Sequence, residues 1–271
     1  MIQLVLKRAM EEYKENFAIA LSMAVLLIFP AIFTFLGQFF KQFFFSSGSV
    51  LLSFNADMFV LVGIVIGLIF LYVFSFFVSL IVYTVKKDVQ SFSLDVYWNM
   101  LMKNAAIKIF ILYLILAIIF YALSFLGLVS GFSLLTMLIS FVIAAVVMFA
   151  PQSIVLDEET VFGAIIQSIS FWKKNFTTGA AIIILGSIML AIVLAVEYLL
   201  EIVNLPGIFV SFLLVLIVLI PFTELMKSYA FVLKFDLIRT QEIHQSAAKP
   251  FKTPKINAVR LREKPRHGNK I

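Results

Sequence analysis

The sequence predicts an all-α, polytopic integral membrane protein of six transmembrane helices. The helices are arranged as three repeats of an interfacial amphipathic helix followed by a two-span hairpin. Three observations lead there. The 271-residue chain is 63% hydrophobic and only 13% charged, whereas a soluble domain carries about 25% charged residues. Several stretches of about 18 or more residues lack Asp, Glu, Lys and Arg altogether, which is the transmembrane signal. One charged hexamer, "EYKENF" at 12–17, returns as "FWKKNF" at 171–176, each time directly before a long apolar run.

The spans read, in order, as 17–40, 58–85, 105–128, 131–150, 176–200 and 206–228. The first is preceded by "MIQLVLKRAMEEYKENF", whose scattered charges lack the basic-then-apolar layout of a signal peptide, so this span is expected to stay in the mature protein. Between the first and second spans, "KQFFFSSGSVLLSFNAD" (41–57) is too polar at its centre to cross and rich enough in Phe to lie in the interface. "GLVSG" and "NLPG" punctuate the hairpins between spans three and four and between five and six. Pro30 and Pro221 fall inside spans and should kink them. "GIVIG", Gly63 to Gly67, places two small residues one turn apart in span two, as helix packing would require.

Positive charge sets the orientation. Lys7, Arg8, Lys14, Lys86, Lys87, Lys103, Lys173, Lys174 and the tail fall on one side, and only Lys41 on the other. The positive-inside rule then puts both termini in the cytoplasm of a cell that carries the protein in its plasma membrane. Residues 1–240 form the membrane domain and 241–271 a basic, disordered tail with eight Lys/Arg against two Glu. That tail anchors the topology or meets anionic headgroups. It lacks the shaped, aromatic-bearing surface that nucleic acid requires.

Aligning the hexamers on their Asn brings in a third copy, "NMLMKNA" at 99–105, so that Asn16, Asn104 and Asn175 each open a span. Leu6, Leu94 and Ile165 stand ten residues before them; Met10, Trp98 and Ile169 six before; Tyr13, Leu101 and Trp172 three before. These offsets put one apolar stripe on a helix. They imply repeat units of about 1–88, 89–156 and 157–240. In each, Asn would form an elbow by capping free N–H groups, and Tyr13, Trp98 and Trp172 would sit as interfacial aromatics.

The stretch "APQSIVLDEETVFGAIIQSISFWKKNF" (150–176) resembles uncharacterised prokaryotic six-span membrane proteins related to the membrane domain found beside glycerophosphodiester phosphodiesterases. The resemblance implies a membrane module with no agreed activity; the phosphodiesterase catalytic domain is not in this chain. The three-repeat signature of mitochondrial carriers is approached only once, at "PFTELMK" (221–227), and with the wrong spacing.

The absence of Cys rules out disulfides, thiolate nucleophiles and Cys-ligated metals. Both His, His244 and His267, stand in the tail, and no His–acid pair or Gly-rich phosphate loop lies near a span. No cofactor and no catalytic residue is therefore expected. Candidate polar or substrate positions are Glu197 and Glu201, one turn apart at the outer end of span five, and Glu224 and Lys227 near the inner end of span six. Asp57 could join the outer pair.

The role this supports is non-enzymatic: a module that binds membrane lipids, or supports a membrane-protein partner or a second copy of itself. The rival is a transporter or channel for a small neutral or amphipathic solute, with an aqueous path past Ser75, Ser79 and Tyr83. A lipid-directed enzyme comes third and would need Glu224 and Lys227 around a headgroup-sized space.

Overall fold

In the computed structural model, backbone is described for residues 2–32, 43–46, 49–52, 59–90, 94–203 and 207–247, and side chains for 2–32, 63–88, 104–203 and 207–233. The protein is an all-α polytopic membrane protein. Helix α1 (Ile2–Glu15) meets α2 (Phe17–Ile32) at a 72° bend. Strands β1 (Phe43–Ser46) and β2 (Ser49–Leu52) pair antiparallel, Phe43 opposite Leu52 and Ser46 opposite Ser49. Then come α3 (Phe59–Gln90), α4 (Leu94–Ser130), α5 (Ser133–Val147), α6 (Ala150–Leu156), α7 (Val161–Ile202), α8 (Gly207–Leu214) and α9 (Ile220–Ala247). The small ribbon was not foreseen in the 41–57 connection. Aromatic and β-branched residues on either side of Ser47-Gly48 are its local cause.

Among the described residues, five segments are long and apolar enough to cross a membrane: Gly63–Asp88, Asn104–Ser130, Ser133–Leu156, Val161–Ile202 and Gly207–Leu233. The bent α1–α2 pair makes a sixth if it counts as one span. The chain divides into two units, Met1–Leu233 and Lys234–Ile271. Helix α9 runs to Ala247, seven residues into the segment expected to be a disordered tail. No Gly or Pro interrupts the sequence there until Pro250. Residues 248–271, with His267, and Asp57 and Lys41 lie outside the described residues.

Proline places the irregularities. A Pro has no N–H for the carbonyl four residues earlier and its ring crowds that carbonyl. Before Pro30 the helix tightens to a 3₁₀ stretch over Met23–Leu27. Before Pro151 it breaks between Val147 and Ala150. Before Pro221 it widens to a π turn over Val215–Leu219. In an apolar bundle each freed carbonyl needs another donor.

Two donors come from the aromatic side chains three residues before an elbow Asn. Tyr13 donates its hydroxyl to the Ile217 carbonyl at 3.1 Å, the very group that Pro221 leaves without a donor. Trp172 donates Nε1–H to the Ala145 carbonyl at 2.6 Å, beside the Pro151 break. Ser168 Oγ donates to the Val146 carbonyl at 2.5 Å and accepts from the Phe149 amide at 3.2 Å. Tyr13 and Trp172 therefore point into the bundle, not to the headgroups as expected. The side chain of Trp98 lies outside the described ones.

The elbows differ among themselves. Asn16 (φ −108°, ψ 26°) and Asn175 (φ −137°, ψ 31°) both leave helical geometry. Without the second break, the 42-residue α7 would be a rod about 63 Å long, twice the hydrocarbon thickness. Asn104, by contrast, lies inside the uninterrupted α4, so the elbow expected there is absent. Ala105-Ala106 follow it, strong helix formers, whereas Phe follows both other Asn residues. Nor does Asn16 cap forward: its Nδ2 donates back to Glu12 Oε1 at 2.7 Å, with no side-chain cap bond.

On α1, Val5, Ala9 and Glu12 are buried while Leu4, Leu6 and Met10 are exposed. The main core joins α1, α2, α3, α7 and α9 around Met23, Leu26, Val85, Phe149, Met226 and Phe231. A second cluster joins α3, α4 and α6 through Val82, Ile109, Leu112 and Ile154. The far end of the α4–α5 hairpin is nearly bare, with Leu128 81% and Met137 75% exposed, a surface suited to lipid and not to water. Gly67, expected at a helix contact, has nothing within 4 Å of a would-be Cβ. Gly179 does have a packing duty, since a Cβ there would come within 2.9 Å of the Trp172 ring.

Removing the Tyr13 hydroxyl should leave the Ile217 carbonyl without its side-chain donor, whereas removing the Trp172 indole should leave the Ala145 carbonyl with its longer 3.3 Å bond from the Met148 amide. Tyr13→Phe is expected to cost about 1–3 kcal/mol, and loss of the indole hydrogen bond in Trp172→Phe about 0.5–1.5 kcal/mol, in unfolding measured in detergent or bicelles. The two losses should add, because the breaks they serve are separate.

Candidate functional site

The four candidate polar positions divide between the two ends of the α7–α9 hairpin. Glu197 and Glu201 lie beside its turn, where Gly207 packs so closely that a Cβ would meet the Glu197 carbonyl oxygen at 2.6 Å. Glu197 Oε2 is buried and has no hydrogen-bond partner among the described residues. Glu201 is exposed. Glu224 and Lys227 lie some 17 to 20 residues past Gly207, about 26–30 Å along the helix. The two pairs do not form one site.

At the second end the structure gathers a buried polar cluster. Lys227 Nζ donates to Glu224 Oε1, with the two side chains only 13% and 7% exposed. Gln152, on α6, is fully buried and donates Nε2–H to the other carboxylate oxygen, Oε2, at 2.7 Å. Its own Oε1 is buried and has no donor among the described residues. Ser228 Oγ donates to the Glu224 carbonyl at 2.7 Å. Two ionised groups removed from water in an otherwise apolar bundle cost several kcal/mol each before their attraction offsets it. Intramembrane ion pairs therefore mark function more often than stability.

A cavity of about 350 Å³ adjoins this cluster. Leu71 and Phe74 of α3, Leu116 and Phe120 of α4, and Val147 and Met148 at the Pro151 break form its apolar wall. Lys227 and Tyr113 are its polar lining. Ala117 and Ala144 also line it and are themselves exposed, so the cavity opens sideways between α4 and α5. The Pro151 break helps make this space, because Pro151 itself forms part of the wall.

The residues expected along an aqueous path do something else. Ser75 and Ser79 are fully buried, and their hydroxyls donate to the Leu71 and Phe76 carbonyls of their own helix at 2.6 and 2.7 Å. Tyr83 is buried in the second core cluster.

A second buried network ties the first elbow to the last helix. Tyr229 Oη lies 3.1 Å from Glu12 Oε2 and 3.0 Å from Asp88 Oδ2. One phenolic proton serves two carboxylates, so a proton on Glu12 lets the acid donate to the phenol and the phenol to Asp88. Burial pushes the Glu12 carboxyl above its ordinary 4.5; the Tyr229 hydrogen bond partly offsets this, and the Asp88 charge adds to the rise.

The "LDEET" loop is likewise fastened from several sides. Lys86 donates to the Val155 carbonyl at 3.0 Å and to Glu158 at 2.9 Å. Lys108 donates to the Glu158 and Glu159 carbonyls at 3.1 and 3.0 Å. Gln167 donates to Asp157 at 2.6 Å and accepts from Ser153. Among the described residues no group of three or more His, Cys, Asp or Glu is placed to hold a metal.

The chain matches no family model, no curated protein and no solved structure. The site therefore has to be read from its own geometry. Gln152, Tyr113, Glu12, Asp88 and Tyr229 were not foreseen as site residues. An amide directly after Pro inside an apolar run was the available signal for Gln152.

Because the Glu12 carboxyl titrates higher in the fold than in the unfolded chain, its contribution to stability is full below pH 4.5. It is lost as pH rises through the higher folded value. Glu12→Gln, which imitates the protonated acid, should flatten that part of the pH dependence and stabilise the protein most at pH 7–8. Thermal unfolding in detergent across pH 4–8, variant against wild type, checks it.

Proposed function

We propose that this chain is a non-enzymatic membrane module that binds lipid, in the plasma membrane, with both termini in the cytoplasm. The observation that carries the reading is the cavity between α3, α4 and α5, lined mostly by apolar side chains, with exposed Ala117 and Ala144 at its opening and Lys227 and Tyr113 as its polar lining. Such an opening admits a molecule from the bilayer and suits an acyl chain better than a hydrated solute. The inward-turned hydroxyls of Ser75 and Ser79 give no support to a solute path. The bare α4–α5 hairpin offers lipids or a membrane partner a broad apolar face. The orientation rests on the lysine bias, and the link to the membrane domain beside glycerophosphodiester phosphodiesterases rests on the 150–176 stretch.

The three-unit repeat belongs to the same proposal. Supporting it, the aromatics three residues before Asn16 and Asn175 do the same job, each supplying a carbonyl next to a proline break. The short α1 and the part of α7 before Asn175 then count as amphipathic helices lying in the interface.

Protein purified in mild detergent and washed with fresh detergent should retain phospholipid, measured as lipid phosphorus per protein. Ala144→Trp, which fills the mouth of the cavity, should reduce that amount severalfold without loss of monodispersity. Washed protein with no retained phospholipid would sink the lipid-binding reading.

A further inference from the structure

Resting on the lipid-binding reading, we propose that the cavity holds the head of a prenylated quinone in its oxidised form. The ring lies against Tyr113 and Lys227, and the chain leaves past Ala117 and Ala144 into the bilayer.

Helix geometry sets the layout. Pro151 stands about as far past the α4–α5 turn as Tyr113 stands before it, so the two are level. Lys227 belongs to that level, because its partner Glu224 is held by Gln152, the residue after Pro151. Ala117 and Ala144 are one to two turns nearer the α4–α5 turn, about 6–10 Å along the helices. All five line the same cavity. A head at the first level can therefore send its chain out at the second. The volume, about 350 Å³, equals that of about a dozen waters in the liquid. It admits one small ring with the first part of a chain, and no whole two-chain lipid.

A donor without an acceptor selects the chemistry. Among the described residues the Tyr113 hydroxyl has no hydrogen-bond partner. It stands about 14 Å along α4 from Asn104, where headgroup water does not serve it. Lys227 has three N–H donors and gives one to Glu224. The side chains that line the cavity thus offer donors, and no acceptor but the phenol oxygen. A ligand head that only accepts meets this arrangement. One that carries hydroxyls would bury donors of its own unmet.

Charge and shape narrow the class. Lys227 and Glu224 neutralise one another, so a carboxylate or phosphate here would be an unbalanced charge inside the membrane. Phe74, Tyr113 and Phe120 all line the cavity, Phe74 and Tyr113 with ring centroids 5.7 Å apart. Aromatic faces and edges pack favourably on another flat ring. A quinone is flat and uncharged, and its carbonyls accept without donating. Its reduced form carries two hydroxyls instead.

The test uses the full chain, purified and washed in detergent, with decylubiquinone as probe. Decylubiquinol under argon and decanoate are the comparisons, and retention after gel filtration is read by solvent extraction and chromatography. The quinone should be retained about tenfold over either one, as one or two hydrogen bonds imply, and should displace a phospholipid chain held there. Tyr113→Phe should reduce quinone retention severalfold and bring it toward that of the quinol. Glu224→Gln with Lys227→Met keeps the cluster neutral and should act likewise. Ala117→Trp at the mouth should abolish quinone retention.

Equal retention of quinone and quinol would overturn the assignment of the head and leave lipid binding standing. Full quinone retention by Tyr113→Phe or Ala117→Trp would overturn its placement in this cavity. Phospholipid retained without quinone would overturn the quinone alone, and retention of neither would overturn the parent reading as well. Size-exclusion profiles of the variants separate lost binding from lost folding.

Discussion

A carbonyl that loses its helix partner inside an apolar bundle must find another donor, and this protein is organised around meeting that demand. Pro151 and Pro221 interrupt two spans that lie next to the elbow helices. Water cannot supply the missing bonds there. The Tyr13 hydroxyl serves the Ile217 carbonyl freed by Pro221, and at the Pro151 break the Trp172 indole reinforces the Ala145 carbonyl, which the Met148 amide also serves at 3.3 Å. Each of those bonds fixes an elbow helix against a span that is distant in sequence, 204 residues away for Tyr13. The bond therefore repairs the backbone and docks two elements at once. Phe149, fully buried at the Pro151 break, fills the space beneath, with its ring 4.2 Å from that of Phe171.

The same breaks position the polar cluster. A π turn contains an extra residue and so rotates the next stretch of helix by about 100° relative to a regular one. After Val215–Leu219, α9 buries Glu224, Leu225, Met226, Ser228, Tyr229, Ala230 and Phe231 almost without interruption. A helix surrounded in this way cannot hide charges on a solvent face, so Glu224 must be served from within, by Lys227 on its own helix and Gln152 from α6. Gln152 is there because Pro151 starts a new helix at that point. Structural break and polar site are thus two results of one sequence feature.

The spans were legible because an uncharged run of that length has few other fates. The breaks were partly legible: Pro30 and Pro221 were read as kinks, and the repeated hexamer located the bends at Asn16 and Asn175. What failed was local detail that tertiary contacts decide. Asn104 shares the pattern, yet the alanines after it carry the helix onward. Tyr13 and Trp172 read as interfacial aromatics because nothing in the sequence shows a carbonyl waiting on another span. The Gln152–Glu224 bond joins residues 72 apart and the Tyr229–Glu12 bond residues 217 apart. Pairings at such separations leave no periodic trace in a single sequence.

The exception at Asn104 strengthens the proposed repeat. In that scheme the first elbow docks on the second span of the third unit, at Pro221. The third elbow docks on the second span of the second unit, at Pro151. By rotation the middle elbow would face the second span of the first unit, α3. That helix has no proline in Phe59–Gln90, so no carbonyl is released and no donor is needed. Position −3 of the middle elbow is Leu101, the one copy unable to donate. Aromatic donor and opposing proline occur together in two units and are absent together in the third. Mere amphipathic spacing would not couple these residues, whereas a duplicated unit whose elbow serves its neighbour's broken span would.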